Sequence, residues 1–325
     1  MRRREFIAAL GAAAAAWPSC ARAQPAPVIG FVGSGPREGF EPMVTAFREG
    51  LRESGYTEGR NVAIEFRWAE GRYERLPSLM ADMVRRPVAV LVAAGGIVAA
   101  RAAKEATSTI PVVFATGADP VTGNIVSSLS HPGGNVTGVF MLTVTLATKR
   151  LELLRELVPA ATTFAVLINP NNPNTSYEIN ELRAAARPMG LDIHVEAAAS
   201  DGDFAAAFDA FAARRTKALI VATDTYFNTR REQIVELAAH SAFPAIYSWG
   251  EFARAGGLVS YGSSREQEYR RVGVLTGKIL AGAKPGDLPV QQASTVELVI
   301  NLKTAKALGL TIPLPLLGRA DEVIE

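Results

Sequence analysis

The stretch VAVLVAAGGIVAARAAKEATSTIPVVFA, residues 88–115, decides the fold. Residues 88–93 form a continuous apolar run that stops at Gly95-Gly96. An alanine-rich helical pattern follows over 97–106, and a second apolar run over 112–115 ends at Gly117-Ala118-Asp119-Pro120. Strand, helix and strand in that order make a βαβ unit, whose two strands run parallel because the helix carries the chain back. The pattern extends upstream. Residues 28–32 read as a strand ending in Gly33-Ser34-Gly35-Pro36. Residues 42–53 read as a helix with Val44, Phe47 and Leu51 at spacings of three and four, 62–68 as an alternating strand and 72–84 as a helix. The first half is therefore an α/β unit with a parallel sheet covered by helices.

The second half repeats the plan. Strands are expected at 164–168, 192–196, 218–222, 245–247 and 258–261, with a crossing strand at 296–302. Helices are expected at 148–158, 174–189, 204–213, 227–239 and 267–280. Two α/β units of similar size predict two doubly wound lobes, and about 300 residues exceed what one hydrophobic core usually serves. The turn-rich Gly133-Gly134-Asn135-Val136-Thr137-Gly138 lies between them and suits a hinge.

Residues 1–23 read as an export signal. Met1-Arg2-Arg3-Arg4 is basic, residues 6–17 are apolar, and Ala21-Arg22-Ala23 is a small-x-small cleavage site before Gln24. Arg3-Arg4-Glu5-Phe6-Ile7 is similar to a twin-arginine export motif, which predicts a periplasmic protein. Trp17-Pro18-Ser19 before Cys20, the chain's one cysteine, fits a lipidation box badly, so no lipid anchor is expected there. Cleavage removes four arginines and one glutamate and brings the net charge from +2 to −1. That leaves no basic excess for nucleic acid and no thiol for a disulfide.

In an open α/β sheet, ligands bind beyond the carboxyl ends of the strands. The segments in that position supply the candidate site. Gly95-Gly96 before a helix, and Ser34-Gly35, offer backbone N–H groups to a carboxylate. Asp119, followed by Pro120, and Asp224 sit just after strands, one in each half, and offer an acceptor for an ammonium. Tyr226, Phe227, Tyr247, Trp249 and Tyr261 offer flat partners to an aromatic or apolar body, and Asn169 and Asn171 offer amides. Each has a plain structural use as well: turn glycine, helix cap, core ring or Asx-turn.

Other chemistry finds no support. Gly33-Ser34-Gly35-Pro36-Arg37-Glu38-Gly39 misses the dinucleotide spacing, and Gly273–Lys278 is followed by Ile279 where a phosphate loop needs Ser or Thr. His131, His194 and His240 lie far apart, which predicts no metal site, and no G-x-S-x-G elbow occurs. No cofactor is expected, and the chain is expected to be a monomer that is not an enzyme.

A family resemblance runs in order along nearly the whole chain. Asp119-Pro120-Val121, His131-Pro132-Gly133-Gly134-Asn135-Val136-Thr137-Gly138, Lys149-Arg150-Leu151-Glu152-Leu153-Leu154 and Asn169-Pro170-Asn171 carry it first. Arg230-Arg231-Glu232-Gln233-Ile234, Ala255-Gly256-Gly257-Leu258-Val259-Ser260-Tyr261-Gly262 and Val299-Ile300-Asn301-Leu302-Lys303-Thr304-Ala305 continue it. Together they resemble the ABC transporter substrate-binding family that includes tryptophan and tyrosine binding proteins. The resemblance implies a type I periplasmic-binding fold with two Rossmann-like lobes joined by hinge crossovers. It divides the chain into residues 24–138 with about 263–290 as one lobe, and 139–262 with about 291–325 as the other. It implies a small ligand in the cleft, an aromatic amino acid or aromatic carboxylate above all, and membrane permease subunits as partners. A sensing role beside a membrane receptor, an aliphatic ligand and a secreted enzyme on the same scaffold are the alternatives. Phe140 stands where the family often has a small residue, and facing the cleft it would make the pocket narrower or more apolar.

Overall fold

The computed structural model describes residues 26–172 and 174–325. The segment read as an export signal, with the expected twin-arginine motif and Cys20, lies outside the described residues. The chain runs β1 (Val28–Gly33), α1 (Glu41–Glu53), β2 (Ala63–Trp68), α2 (Leu76–Val84), β3 (Val88–Ala94), α3 (Ile97–Ala106), β4 (Val112–Thr116) and β5 (Val136–Phe140). It continues through α4 (Ala147–Leu157), β6 (Thr163–Ile168), α5 (Thr175–Ala186), β7 (Asp192–Ala197), α6 (Asp203–Ala213), β8 (Ala218–Val221), α7 (Thr225–Thr229), α8 (Arg231–His240), β9 (Ala245–Tyr247), α9 (Gly250–Arg254) and β10 (Val259–Gly262). The tail holds α10 (Arg265–Leu280), β11 (Gln291–Gln292), β12 (Glu297–Asn301), α11 (Leu302–Ala307), α12 (Leu314–Leu317) and β13 (Glu322–Ile324).

The first sheet has the order β11-β5-β4-β3-β1-β2, every pair parallel. The second has the order β13-β12-β10-β9-β8-β6-β7, parallel except for the β10–β12 pair. Each sheet carries one apolar cluster on either face, which is why strands such as β3 read as unbroken apolar runs. In each lobe the first five strands are ordered 2-1-3-4-5, so each sheet has a switch point beside its first strand.

Three crossings join the sheets, at residues 141–146, 263–264 and 293–296. The sequence reading began the second lobe at residue 139 and returned the chain to it at about 291. In the structure Val139 and Phe140 still pair with Ala115 and Thr116, and Gln291 and Gln292 pair with Val139 and Phe140, so these residues belong to the first sheet. The expected helix at 227–239 is two helices, because the chain turns at Arg230 (φ −112°, ψ 19°) between α7 and α8. Among the described residues no helix is long and apolar enough to cross a membrane.

α10 returns to the first lobe and lies against α1. A Cβ on Gly50 would come within 1.9 Å of the Arg270 carbonyl oxygen, and one on Gly273 within 2.2 Å of that of Phe47. Gly50→Val is expected to force the helices apart and to cost about 1–3 kcal/mol. A urea titration checks it, and an unchanged midpoint would mean that the two backbones do not meet here.

Candidate ligand site

Between the lobes lies a small cleft cavity of about 40 Å³. Its lining comes from the carboxyl ends of strands in both sheets. Gly95 and Gly96 follow β3, Met141 and Thr143 follow β5, Asn172 and Asn174 follow β6, Thr223 and Asp224 follow β8, and Trp249 follows β9. α3 opens on this cavity. Gly95 and Gly96 have φ of +112° and +95°, a region that favours glycine, and no side chain caps the helix. The first N–H groups of α3 are thus left without a side-chain acceptor, in a setting that favours an anion.

Four buried polar atoms without a protein partner belong to residues at or just behind the wall of this space: Ser34 Oγ, Thr143 Oγ1, Asn174 Oδ1 and Trp249 Nε1. The last three belong to residues that line the cavity, and Ser34 lies directly behind Gly95, where an added Cβ would meet its Oγ at 1.8 Å. Unpaired polar atoms are costly when buried, so their convergence on one cavity marks it as a place for a polar ligand.

Asp224 is buried and caps α7. Its Oδ1 accepts from the N–H groups of Tyr226 (2.8 Å) and Phe227 (3.1 Å) and from Asn169 Nδ2 (3.2 Å). Its Oδ2 accepts from Asn172 Nδ2 at 2.9 Å and, across the cleft, from the Tyr73 hydroxyl at 3.0 Å. Burial pushes the carboxyl above its usual range, and these donors pull against that without reversing it.

The structure brings together Gly95, Gly96, Asp224 and Trp249, with Ser34 behind them. The other sequence candidates lie elsewhere. Gly35 packs between Phe40 and Thr225 at the line where the lobes meet. Asp119 lines a neighbouring groove, its carboxylate holding the Val121 N–H at 2.8 Å, while the Pro120 carbonyl accepts from Ile125 and Val126. Phe140 does not face the cleft. It is buried in the first lobe's core with Val136 and Val290, because strand alternation turns it to the face opposite Val139 and Met141. Asn169 Oδ1 accepts from the Asn171 N–H and Asn171 is exposed, so this pair builds the turn while the amides of Asn172 and Asn174 reach the cavity. Phe227 and Tyr247 are core rings, the latter stacked on Phe252 at 4.7 Å. Tyr226 stacks on Phe204 at 5.9 Å with its hydroxyl on Asp201. Tyr261 packs against the second lobe's core.

Sequence reasoning missed Phe40, Tyr73, Arg265 and Tyr269, all of them cavity residues contributed by the first lobe and α10. The Arg265 side chain is 4% exposed, with its guanidinium 4.6 Å from the Trp249 ring centre and 5.8 Å from that of Phe40. It also pairs with Glu251 at 3.4 Å. Position in the helical pattern made Tyr73 look like an ordinary helix residue. The available signal for Arg265 was Ser264, which caps α10 and so sets the arginine in the first turn at a strand's carboxyl end.

The model of the ABC transporter substrate binding protein family matches residues 34–324. The chain belongs to this family. A tyrosine-binding protein of Clostridioides difficile (strain R20291) is 27% identical over 265 residues, 81% of this chain and 75% of that protein. An ABC domain in complex with L-Trp from Streptococcus pneumonia is 29% identical with a TM-score of 0.82, covering 92% of this chain and 99% of that one. A conserved domain protein from Vibrio cholerae O1 biovar El Tor gives 27% identity and a TM-score of 0.84 over 92% and 99% of the two chains. The two-sheet plan is the type I periplasmic-binding fold, shared with more distant binding proteins whose likeness shows the fold alone.

Two substitutions separate the roles of Asp224. Asp224→Ala removes a helix cap worth about 1 kcal/mol and strands buried amide donors at about 1–3 kcal/mol each. Chemical denaturation is expected to show a loss of about 2–4 kcal/mol, and no loss would show that the network does not form. Tyr73→Phe removes one neutral donor that acts only where the lobes meet. It should leave the unfolding free energy within about 1 kcal/mol of wild type. Ligand affinity, read by calorimetry, should fall, and an unchanged affinity would exclude this bond from closure.

Proposed function

We propose that this family member is an extracytoplasmic clamp for an aromatic amino acid, which it binds without transforming and delivers to membrane permease subunits. The unpartnered polar atoms of three lining residues, Thr143, Asn174 and Trp249, on a cavity with aromatic walls carry the reading. The relatives named for tyrosine and solved with L-Trp support it. On this reading the two closing bodies are residues 26–140 with 263–292, and residues 141–262 with 293–325.

The ligand carboxylate takes the amino end of α3 at Gly95-Gly96, with the hydroxyl of Thr143 as a further donor. The ammonium takes Asn174 Oδ1, in the field of Asp224. Asp224 itself is already held by five protein donors and is the weaker direct acceptor. The ring lies among Phe40, Tyr73, Trp249 and Tyr269, where offset and edge contacts add about 0.5–1.5 kcal/mol per pair beyond burial. The buried tyrosines stay protonated: burial first, then Asp224, pushes the Tyr73 hydroxyl well above its ordinary value, and burial does the same for Tyr269. No group of three or more potential metal ligands occurs among the described residues.

The test is a titration of the protein from Gln24 onward with L-tryptophan, L-tyrosine, L-phenylalanine and their deaminated analogues. One-to-one binding is expected, with a change in Trp249 fluorescence. Asn174→Ala should weaken the amino acids by about tenfold, roughly one hydrogen bond to a charged group, and the deaminated acids less. Equal losses would remove Asn174 as the ammonium acceptor, and silence across the whole set would remove the ligand class.

A further inference from the structure

The Lys149-Arg150-Leu151-Glu152 motif takes no part in the ligand contacts above, yet it places an arginine in the interior. Arg150, on α4, is fully buried, and so is its partner Glu178 on α5, with Nη2 2.7 Å from Oε1. The same Nη2 donates to the Thr143 carbonyl at 2.8 Å, and Nη1 lies 3.5 Å from the Tyr261 carbonyl. Thr143 is on the first crossing, and Tyr261 is in the strand that leads into the second. Ser263 Oγ, on the second crossing, donates to the Met141 carbonyl on the first at 2.9 Å. Glu178 extends the chain of contacts toward the ligand. Its Oε2 accepts from the Thr223 N–H at 2.9 Å, and Thr223 Oγ1 is 2.7 Å from Ser248 Oγ. Thr143 and Thr223 both line the cleft cavity.

From this geometry we infer that Arg150 is a positioning residue that fastens two hinge crossings to the floor of the ligand cleft. A buried ion pair is a poor source of stability, since apolar replacement of both partners is often neutral or better. A planar guanidinium does offer several donors in fixed directions, which neither an apolar side chain nor a lysine reproduces. Here the directions are the Thr143 carbonyl, the Tyr261 carbonyl and Glu178. The first two set how the crossings leave the second lobe, and the third sets where Thr223 stands. Ligand contact at the floor and the resting angle of the lobes are thereby fixed by one group. The inference rests on the clamp reading for its consequence in binding, but not for its effect on the lobes themselves.

The experiment uses the protein from Gln24 onward, which has no native cysteine. One dye on each lobe, at Glu105→Cys and Ala212→Cys, reports lobe separation by single-molecule energy transfer. It is compared in wild type, Arg150→Lys and the paired Arg150→Met, Glu178→Met variant. Without ligand, both variants are expected to broaden the distribution of separations, while the thermal midpoint of the paired variant moves by a few degrees only. With L-tryptophan or L-tyrosine as probe, affinity should fall about tenfold through faster dissociation, a size typical of residues that couple sites without touching ligand. Arg150→Lys keeps the charge, so it bears on the geometry even where the paired variant fails to fold. Ligand-free distributions that coincide with wild type in a folded variant would overturn the inference, as would broadening that only tracks loss of folded protein. If wild type binds neither amino acid, the ligand reading falls, and the ligand-free distributions still decide the role of Arg150.

Discussion

The cleft depends on one buried carboxylate. Removing Asp224 from water is costly unless its oxygens are matched, so the groups that match them must be held in place. They come from three places: the first N–H groups of α7, the amides of Asn169 and Asn172 in the loop after β6, and the Tyr73 hydroxyl of the opposite lobe. Satisfying the charge therefore fixes the start of α7 against the loop after β6 within one lobe. It also sets the point at which the other lobe touches them. The hydroxyl is a dependable donor, because burial and the carboxylate both raise its pKa.

Around that point the closing surfaces are small and close-fitting. Side chains at Gly35 or Gly39 would run into Thr225 and Thr229 of α7, each within 2.8 Å of a built Cβ. On the other side Arg265 lies against Trp249 and pairs with Glu251. These contacts are made by protein alone, so they set a baseline for the closed arrangement whatever occupies the cavity. A ligand moves the equilibrium only by its preference for one form. The unpartnered atoms of Thr143, Asn174 and Trp249 supply such a preference, because a ligand that pairs them removes a cost present only when they are shut away from water.

The sheet plan was legible in the sequence because it is carried by local signals. Apolar runs such as 88–93, alanine-rich helical patterns and the glycines at strand ends each announce themselves within a few residues. The same signals led to Gly95, Gly96, Asp224 and Trp249, because strand ends can be read one at a time. Choosing among neighbours was harder. The sequence points to Asn169 and Asn171, but a turn's residues are alike in composition, and only its path shows that the amides of Asn172 and Asn174 reach the cavity. Phe140, a cleft candidate from the sequence, is a core residue, because a shift of one residue in a strand reverses its face. Tyr73 carries no signal, and Arg265 only the indirect one of Ser264, since each acquires its role from the opposite lobe.

The placement of buried charge follows from the same division. Among the described residues, the buried charged side chains are Arg150, Glu178, Asp224, Arg265 and Glu268. Arg150 and Glu178 serve the first two crossings, and Asp224 and Arg265 face each lobe's opposite number. Glu268 lies beside Arg271, which donates to the Gln292 carbonyl and to Ser294 Oγ at the third crossing. Apolar packing is strong but non-directional, which suits a lobe that must only stay folded. A junction that must bend along one path and stop at one angle needs contacts with direction, and hydrogen-bonded charges supply them. The cores hold the lobes, and the charges between them hold the geometry of the hinge.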